Sequence, residues 1–313
     1  MFRRPSKLLT VIALAATTAT VAGGCGARVY GTPPVPASPP LTVVAPLGSM
    51  APLPEAPPDE PSAAFSGLDA REQQATADAS GSGADITVAV LDRNTGQLVT
   101  NGAVGTVAIA SVVKLFIADD LLLQVSKGQT RLSPDDRAAF DRMLRSSDDS
   151  AAETFWNRSG GSAIINRVVA RYGLSSTHAP NNGRWFNTVS SVTDLVHYYD
   201  MMLAGTGGLP PEQASVIMSN LAASTPTAPD GMVPGGVYPQ RFGIPEGLYA
   251  EPVAVKQGWM CCVGSDWLHV STGVIGPDRR YIMAISSMQA TDADDARATI
   301  TQAVKTMFPS GRI

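Results

Sequence analysis

Strand-like segments at both ends of a long helical block restrict this chain to one sheet assembled from its two halves. Ile86-Thr87-Val88-Ala89-Val90-Leu91-Asp92 alternates and is β-branched, Asn94-Thr95-Gly96 supplies a turn, and Gln97-Leu98-Val99-Thr100 continues, which predicts a hairpin. Three further strands are predicted near Val253 to Trp259, Ser265 to Val274 and Tyr281 to Met288. Between them, a long apolar helix runs from about Ser111 to Ser126, and helical patterns continue from Ser133 to about Ala222. Flanking helices are expected from about Ser62 to Ala79 and from Asp292 to Phe308. The expected class is α/β of the α+β kind: a mostly antiparallel sheet, terminal helices on one face, and an inserted all-helical subdomain over about 130–222. A cleft between sheet and subdomain is the default place for a site.

This domain, 62–313, does not begin at the N-terminus. Arg3, Arg4 and Lys7 precede the apolar run from Leu8 to Val21, and small residues lead to Cys25. That order predicts a secretory leader over 1–24, because the run is shorter than the roughly 20 residues a bilayer crossing needs. Val21-Ala22-Gly23-Gly24-Cys25 resembles the lipobox of bacterial lipoproteins, which implies acylation of Cys25 and a lipid anchor on the outer face of the cell membrane. The proline-rich stretch that follows, to about residue 61, reads as a tether with a reach on the order of 100 Å if extended.

With Cys25 acylated, Cys261 and Cys262 are the other two of three cysteines. A disulfide between neighbours closes a strained ring, which favours two thiols in a strand, while export leaves oxidation of the pair open. Adjacent strand residues point to opposite faces, so this pair is no metal site, and no cofactor is implied. The net charge of -4 and the absence of a long basic run in the mature chain exclude nucleic acid as an expected partner.

Ser111-Val112-Val113-Lys114 opens the buried helix and puts a hydroxyl and an amine on one helix face. A lysine of lowered pKa can take the proton of such a serine. No other lysine in the chain has a serine three residues before it. Taken alone, the pair is also compatible with a helix-start serine followed by a chance lysine. Ser147-Asp148-Asp149 follows in a helical region, and Lys256-Gln257-Gly258 lies on the strand after it.

In that order the three segments resemble S-x-x-K, S-D-N and K-T-G of the penicillin-recognising serine hydrolases, the class A β-lactamases and D,D-peptidases. The resemblance covers about residues 64–310. It implies Ser111 as acylated nucleophile, Lys114 as its base, and Ser147 as proton donor to the leaving group. Lys256 would hold a substrate carboxylate and lower the pKa of Lys114 by repulsion. The backbone N–H groups of Ser111 and Trp259 would form the oxyanion hole. Asp149, Gln257 and Gly258 would contact substrate. The Trp259 side chain reads equally as a substrate wall or as strand-face packing.

Three departures bear on activity. Asp149 stands where the pattern has an amide, and Gln257 where it has a hydroxyl. The family's deacylating glutamate has no counterpart, since no glutamate occurs between Glu153 and Glu212. In the equivalent stretch His178 reads as a surface residue rather than a base, and Glu153 as structural. The expectation is a serine acyl-enzyme acting on peptidoglycan-type peptides or amides, with weak or no β-lactam hydrolysis. A non-catalytic lipoprotein that binds a small cell-envelope ligand in the same cleft is the alternative, and an unusual β-lactamase the third reading.

Overall fold

A computed structural model describes residue 63 and residues 65–313. The leader, Cys25 and the tether to residue 61 lie outside the described residues. Helix α1 (Leu68–Gly81) precedes the hairpin of β1 (Ala84–Asp92) and β2 (Leu98–Thr100). A two-residue strand, β3 (Val107–Ala108), and a 3-10 turn (Ala110–Val113) lead into α2 (Lys114–Ser126). The helical block comprises α3 (Pro134–Arg145), α4 (Asp149–Arg158), α5 (Ala163–Tyr172), α6 (Val192–Ala204) and α7 (Pro211–Ala222), with the short strand β4 (Val189–Ser190) before α6. The chain continues through β5 (Thr227–Pro229), β6 (Val237–Pro239) and α8 (Ile244–Gly247) into β7 (Val253–Val263), β8 (Asp266–Ile275), β9 (Tyr281–Gln289) and α9 (Ala293–Met307).

The sheet is built from both halves, in the order β2-β1-β9-β8-β7, and all its pairings are antiparallel. β1 runs beside β9 from Ala84 opposite Gln289 to Asp92 opposite Tyr281. Both faces are covered, so β9 is buried almost throughout, and strand alternation sorts its side chains. Met283 and Ile285 pack with Leu68, Ile300 and Val304 under the terminal helices. Ile282 and Ala284 pack with Phe116, Leu195 and Tyr199 on the face toward the helical block.

Burial around α2 is nearly complete from Lys114 to Leu123, and it includes a carboxylate, Asp119. Asp119 accepts hydrogen bonds from Tyr172 Oη at 2.5 Å, Tyr198 Oη at 3.3 Å and the Arg171 guanidinium. Burial raises its pKa while Arg171 opposes that rise. These bonds tie α2 to α5 and α6, and so set the frame from which Ser111 projects.

Two features were not read from the sequence. β3 pairs with β4, Val107 opposite Ser190, and the Ile109 N–H donates to the Thr188 carbonyl at 2.9 Å. Strands of two residues carry no periodicity to detect. The proline- and glycine-rich segment before β7 holds the other: β5 and β6 pair as a hairpin, and α8 follows.

Candidate active site

Ser111 lies in the 3-10 turn before α2, directly after Ala110, whose φ of 45° is left-handed. One turn on, Lys114 is fully buried. Its ammonium donates to Ser111 Oγ at 2.9 Å, Ser147 O at 2.7 Å, Ser147 Oγ at 3.0 Å and Asp149 Oδ1 at 2.5 Å. An ammonium has three protons, so these four acceptors share them.

Ser147 reaches Lys114 through a second left-handed residue, its own φ being 55°, in the turn between α3 and α4. Such a conformation costs a non-glycine residue about 1–3 kcal/mol and is held by its surroundings. Here Asp148 holds it: its carboxylate caps α4 by accepting from the Ala151 N–H at 3.0 Å and pairs with Arg142 at 3.0 Å. The next residue, Asp149, then opens α4 facing Lys114.

Lys256 approaches from β7, also buried, and donates to Ser147 Oγ at 2.9 Å and to the Gln257 carbonyl at 3.0 Å. The Ser147 hydroxyl therefore stands between two lysines. Burial lowers the pKa of Lys114, and the carboxylates of Asp149 and Asp148 oppose the fall. Lys256 falls well below the ordinary lysine value, first through burial and then through repulsion by Lys114. Desolvation leads in both lysines, and repulsion between the two ammonium groups adds to it.

Gly258 explains how β7 meets the nucleophile. A Cβ there would lie 2.5 Å from the Ile109 carbonyl oxygen and 3.2 Å from the Ser111 nitrogen. Without one, the strand lies against the turn, and Trp259 lines the same cavity as Ser111. The Trp259 indole stacks on Tyr238 with ring centroids 3.7 Å apart and packs with the terminal-helix core, so strand-face packing describes its side chain. Gln257, two residues before it, lies on the same strand face. Its side chain is buried and donates to the Phe242 carbonyl at 2.5 Å, so the structure does not bring it to the cavity as expected.

The cavity holds about 290 Å³. Ala110, Ser111, Ser147 and Asp149 form one side, and Ala228, Pro229, Gly231 and Met232 from the β5–β6 hairpin cover another. The β7 side carries Trp259, Met260, Cys261 and Cys262. Cys261 and Cys262 are joined in a disulfide, the less favoured of the two readings of the sequence. They sit between Met260 and Val263, where the β7–β8 register shifts, so local irregularity accommodates the ring that a regular strand would not.

The last wall was missed in the sequence. Trp185, Phe186 and Asn187 line the cavity, while His178, Asn181 and Asn182 are exposed and do not. The Trp185 ring centroid lies 4.8 Å from Lys114 Nζ, and its indole N–H donates to Glu153 Oε2 at 3.0 Å. Glu153 thus positions the tryptophan. The available signal was a tryptophan at the end of the very stretch in which a carboxylate was sought.

Over its whole length the chain is 56% identical to the whole of the lipoprotein LppW of Mycobacterium tuberculosis, and equally to that of Mycobacterium bovis. It belongs to the LppW lipoprotein family. No protein-family model matches it. Among solved structures, PBP-A is similar with a TM-score of 0.63 and 18% identity, over 82% of this chain and 98% of that one. A β-lactamase from Chitinophaga pinensis is similar with a TM-score of 0.61 and 15% identity, over 78% and 100%. This member of the LppW family is therefore a lipoprotein with the β-lactamase/transpeptidase fold. Among the described residues, no helix is long and apolar enough to cross a membrane.

Proposed function

We propose that this protein is a serine acyl-enzyme of the cell envelope, acting on amides or esters, peptidoglycan-type peptides among them, with weak or no β-lactam hydrolysis. The observation that carries the reading is the contact of Lys114 Nζ with both Ser111 Oγ and Ser147 Oγ beside an open cavity. In its neutral form Lys114 takes the Ser111 hydroxyl proton as Oγ bonds to the substrate carbonyl carbon. The carbonyl oxygen gains charge facing the N–H groups of Ser111 and Trp259. As the carbon–nitrogen or carbon–oxygen bond breaks, Ser147 gives its proton to the leaving group and is reprotonated from Lys114. Water then cleaves the acyl ester. That second step lacks a glutamate in the loop bearing Trp185, which supports slow release.

The same reading places the protein outside the membrane, on an acylated Cys25 after removal of residues 1–24, with the stretch to residue 61 as tether. The family name supports an anchor.

The test is intact-protein mass spectrometry after incubation with a labelled penicillin and with a fluorophosphonate, comparing wild type with Ser111→Ala. Adducts on wild type alone are expected, long-lived with penicillin. Absence of any adduct leaves the binding lipoprotein as the better reading, which the inward-turned Gln257 favours. Rapid penicillin turnover makes the protein an unusual β-lactamase.

A further inference from the structure

The side chains around the Ser111 cavity carry a charge pattern that bears on what can enter it. Among the described residues lining it, the one ionisable side chain is the Asp149 carboxylate, 48% exposed. Neither lysine of the site lines the cavity. Lys114 and Lys256 are buried beneath Ser111 and Ser147, and the Lys256 ammonium is spent on Ser147 Oγ and the Gln257 carbonyl. No arginine or histidine lines the cavity either. Asp149 is paired with Lys114, but that ammonium is wholly buried, so a substrate carboxylate entering here would lose water and meet a like charge with no exposed cation to compensate.

Apart from Ser111, Ser147 and Asn187, the other side chains of the walls are apolar or sulfur-bearing, among them Trp185, Phe186, Pro229, Met232, Met260 and the Cys261–Cys262 disulfide. The apolar character extends outward. Met232 is 47% exposed, Val233 after it 55%, and Val263, next to Cys262, 37%. The Cys261 N–H lies 3.4 Å from Met232 Sδ, which brings the hairpin and the end of β7 to the same rim. Large apolar side chains left in water around a cavity that holds a nucleophile are best explained by a ligand that covers them. The cavity is about twice the roughly 150 Å³ of an apolar cavity able to hold benzene, so a short or medium-length acyl group fits.

We infer that the Ser111 cavity is selective for acyl donors whose acyl group is apolar and carries no carboxylate, with Asp149 as the excluding charge and Met232 with the disulfide as the acyl-binding wall. The inference rests on the acyl-enzyme reading and narrows its substrate class. A peptide is accepted through an internal or capped bond rather than one beside a free terminal carboxylate. With an ester, Ser111 Oγ bonds to the acyl carbon, the ester carbon–oxygen bond breaks, and the alcohol leaves with the proton that Ser111 gave up.

The experiment compares p-nitrophenyl butyrate with p-nitrophenyl hemisuccinate, similar in length but ending in a carboxylate, alongside the acetate and octanoate esters. Wild type, Ser111→Ala, Asp149→Asn and Met232→Ser are assayed at low salt. The expected kcat/KM for butyrate exceeds that for hemisuccinate by at least about tenfold. Asp149→Asn narrows that ratio whatever it does to the absolute rate, and Met232→Ser lowers the octanoate-to-acetate ratio. Equal use of hemisuccinate and butyrate by wild type, or ratios that neither variant moves, overturns the inference while leaving a Ser111-dependent acyl-enzyme intact. If no ester is turned over and the fluorophosphonate leaves no adduct on Ser111, the acyl-enzyme reading itself fails and the inference with it.

Discussion

Lys114 and Asp149 form an ion pair of 2.5 Å in which the amine is fully buried and the carboxylate faces the cavity. Two influences on the amine oppose each other: burial favours the neutral base that acylation needs, and the carboxylate favours the ammonium. Asp149→Asn removes the second, so the pKa of Lys114 falls further. The acid limb of Ser111 acylation is then expected to move to lower pH, by roughly 1 unit or more. The rate of fluorophosphonate labelling from pH 5 to 10 checks this, and an unmoved or upward-shifted limb removes Lys114 from the role of base.

Gly258 is the point at which β7 touches the nucleophile's turn. In Gly258→Ala the new Cβ meets two backbone atoms, the Ile109 carbonyl oxygen at 2.5 Å and the Ser111 nitrogen at 3.2 Å, and neither can rotate away. The strand or the turn must shift. A cost of about 1–3 kcal/mol is expected, as for other overpacked sites. Labelling of Ser111 should slow by about 100-fold, because displacing reacting groups by a fraction of their contact distance is that costly. Urea melts and labelling kinetics on one preparation read both. Wild-type labelling in the variant shows that the contact is not needed for the site.

The parts of this site that lie close in sequence, or that follow a fixed pattern, were legible before the fold was known. Ser111 and Lys114 share a helix face by spacing alone, and the hairpin and the three late strands announce themselves by alternation. Gln257 was misplaced for a physical reason: a strand residue beside Lys256 points to the opposite face, and only the packing of α8 and α9 shows that this face is closed. The residue type of Trp185 does not by itself show its role, because only the fold brings its ring centroid to 4.8 Å from Lys114 Nζ. The disulfide was the less favoured reading because a ring between neighbours is strained, and the irregularity between Met260 and Val263 is not visible in residue types.

The disulfide makes a direct prediction. Over residues 62–313 the only cysteines are Cys261 and Cys262, so the protein without residues 1–61 is the one to titrate. Thiol titration of unfolded, unreduced protein should find no free thiol, and titration after reduction should find both. Two free thiols before reduction would return the pair to the thiol reading.

The buried ion pair of Asp92 with Arg280 gives the stability a defined acid dependence. Asp92, fully buried at the end of β1, accepts from Arg280 Nε at 2.8 Å and Nη2 at 2.6 Å, and from the Asn94 N–H at 3.1 Å. Burial alone raises its pKa, but these bonds and the Arg280 charge outweigh it, so the folded-state value is below the ordinary one. This contribution is fully present above the unfolded pKa of about 3.9 and is lost as pH falls through the folded value. Arg280→Met strands the carboxylate and should cost about 3–5 kcal/mol at pH 7. Stranded in an apolar place, Asp92 then prefers to be protonated, so the deficit relative to wild type should shrink at pH 4. Denaturant melts at both pH values decide, and a deficit that grows toward acid pH contradicts the assignment.

Trp185 and Glu153 should behave as one unit. The indole N–H donates to Glu153 Oε2 at 3.0 Å, and the ring it orients lies 4.8 Å from the Lys114 ammonium. Trp185→Phe keeps a ring against Lys114 and loses only the bond, at an expected cost of about 1 kcal/mol, and Glu153→Ala should cost about the same. The double variant should cost no more than either single change, because both remove one interaction. Trp185→Ala is different in kind: it empties a buried wall, and about 3–5 kcal/mol is expected. Additive losses in Trp185→Phe and Glu153→Ala would mean that packing alone holds the tryptophan. Glu153 would then have no part in placing it beside Lys114.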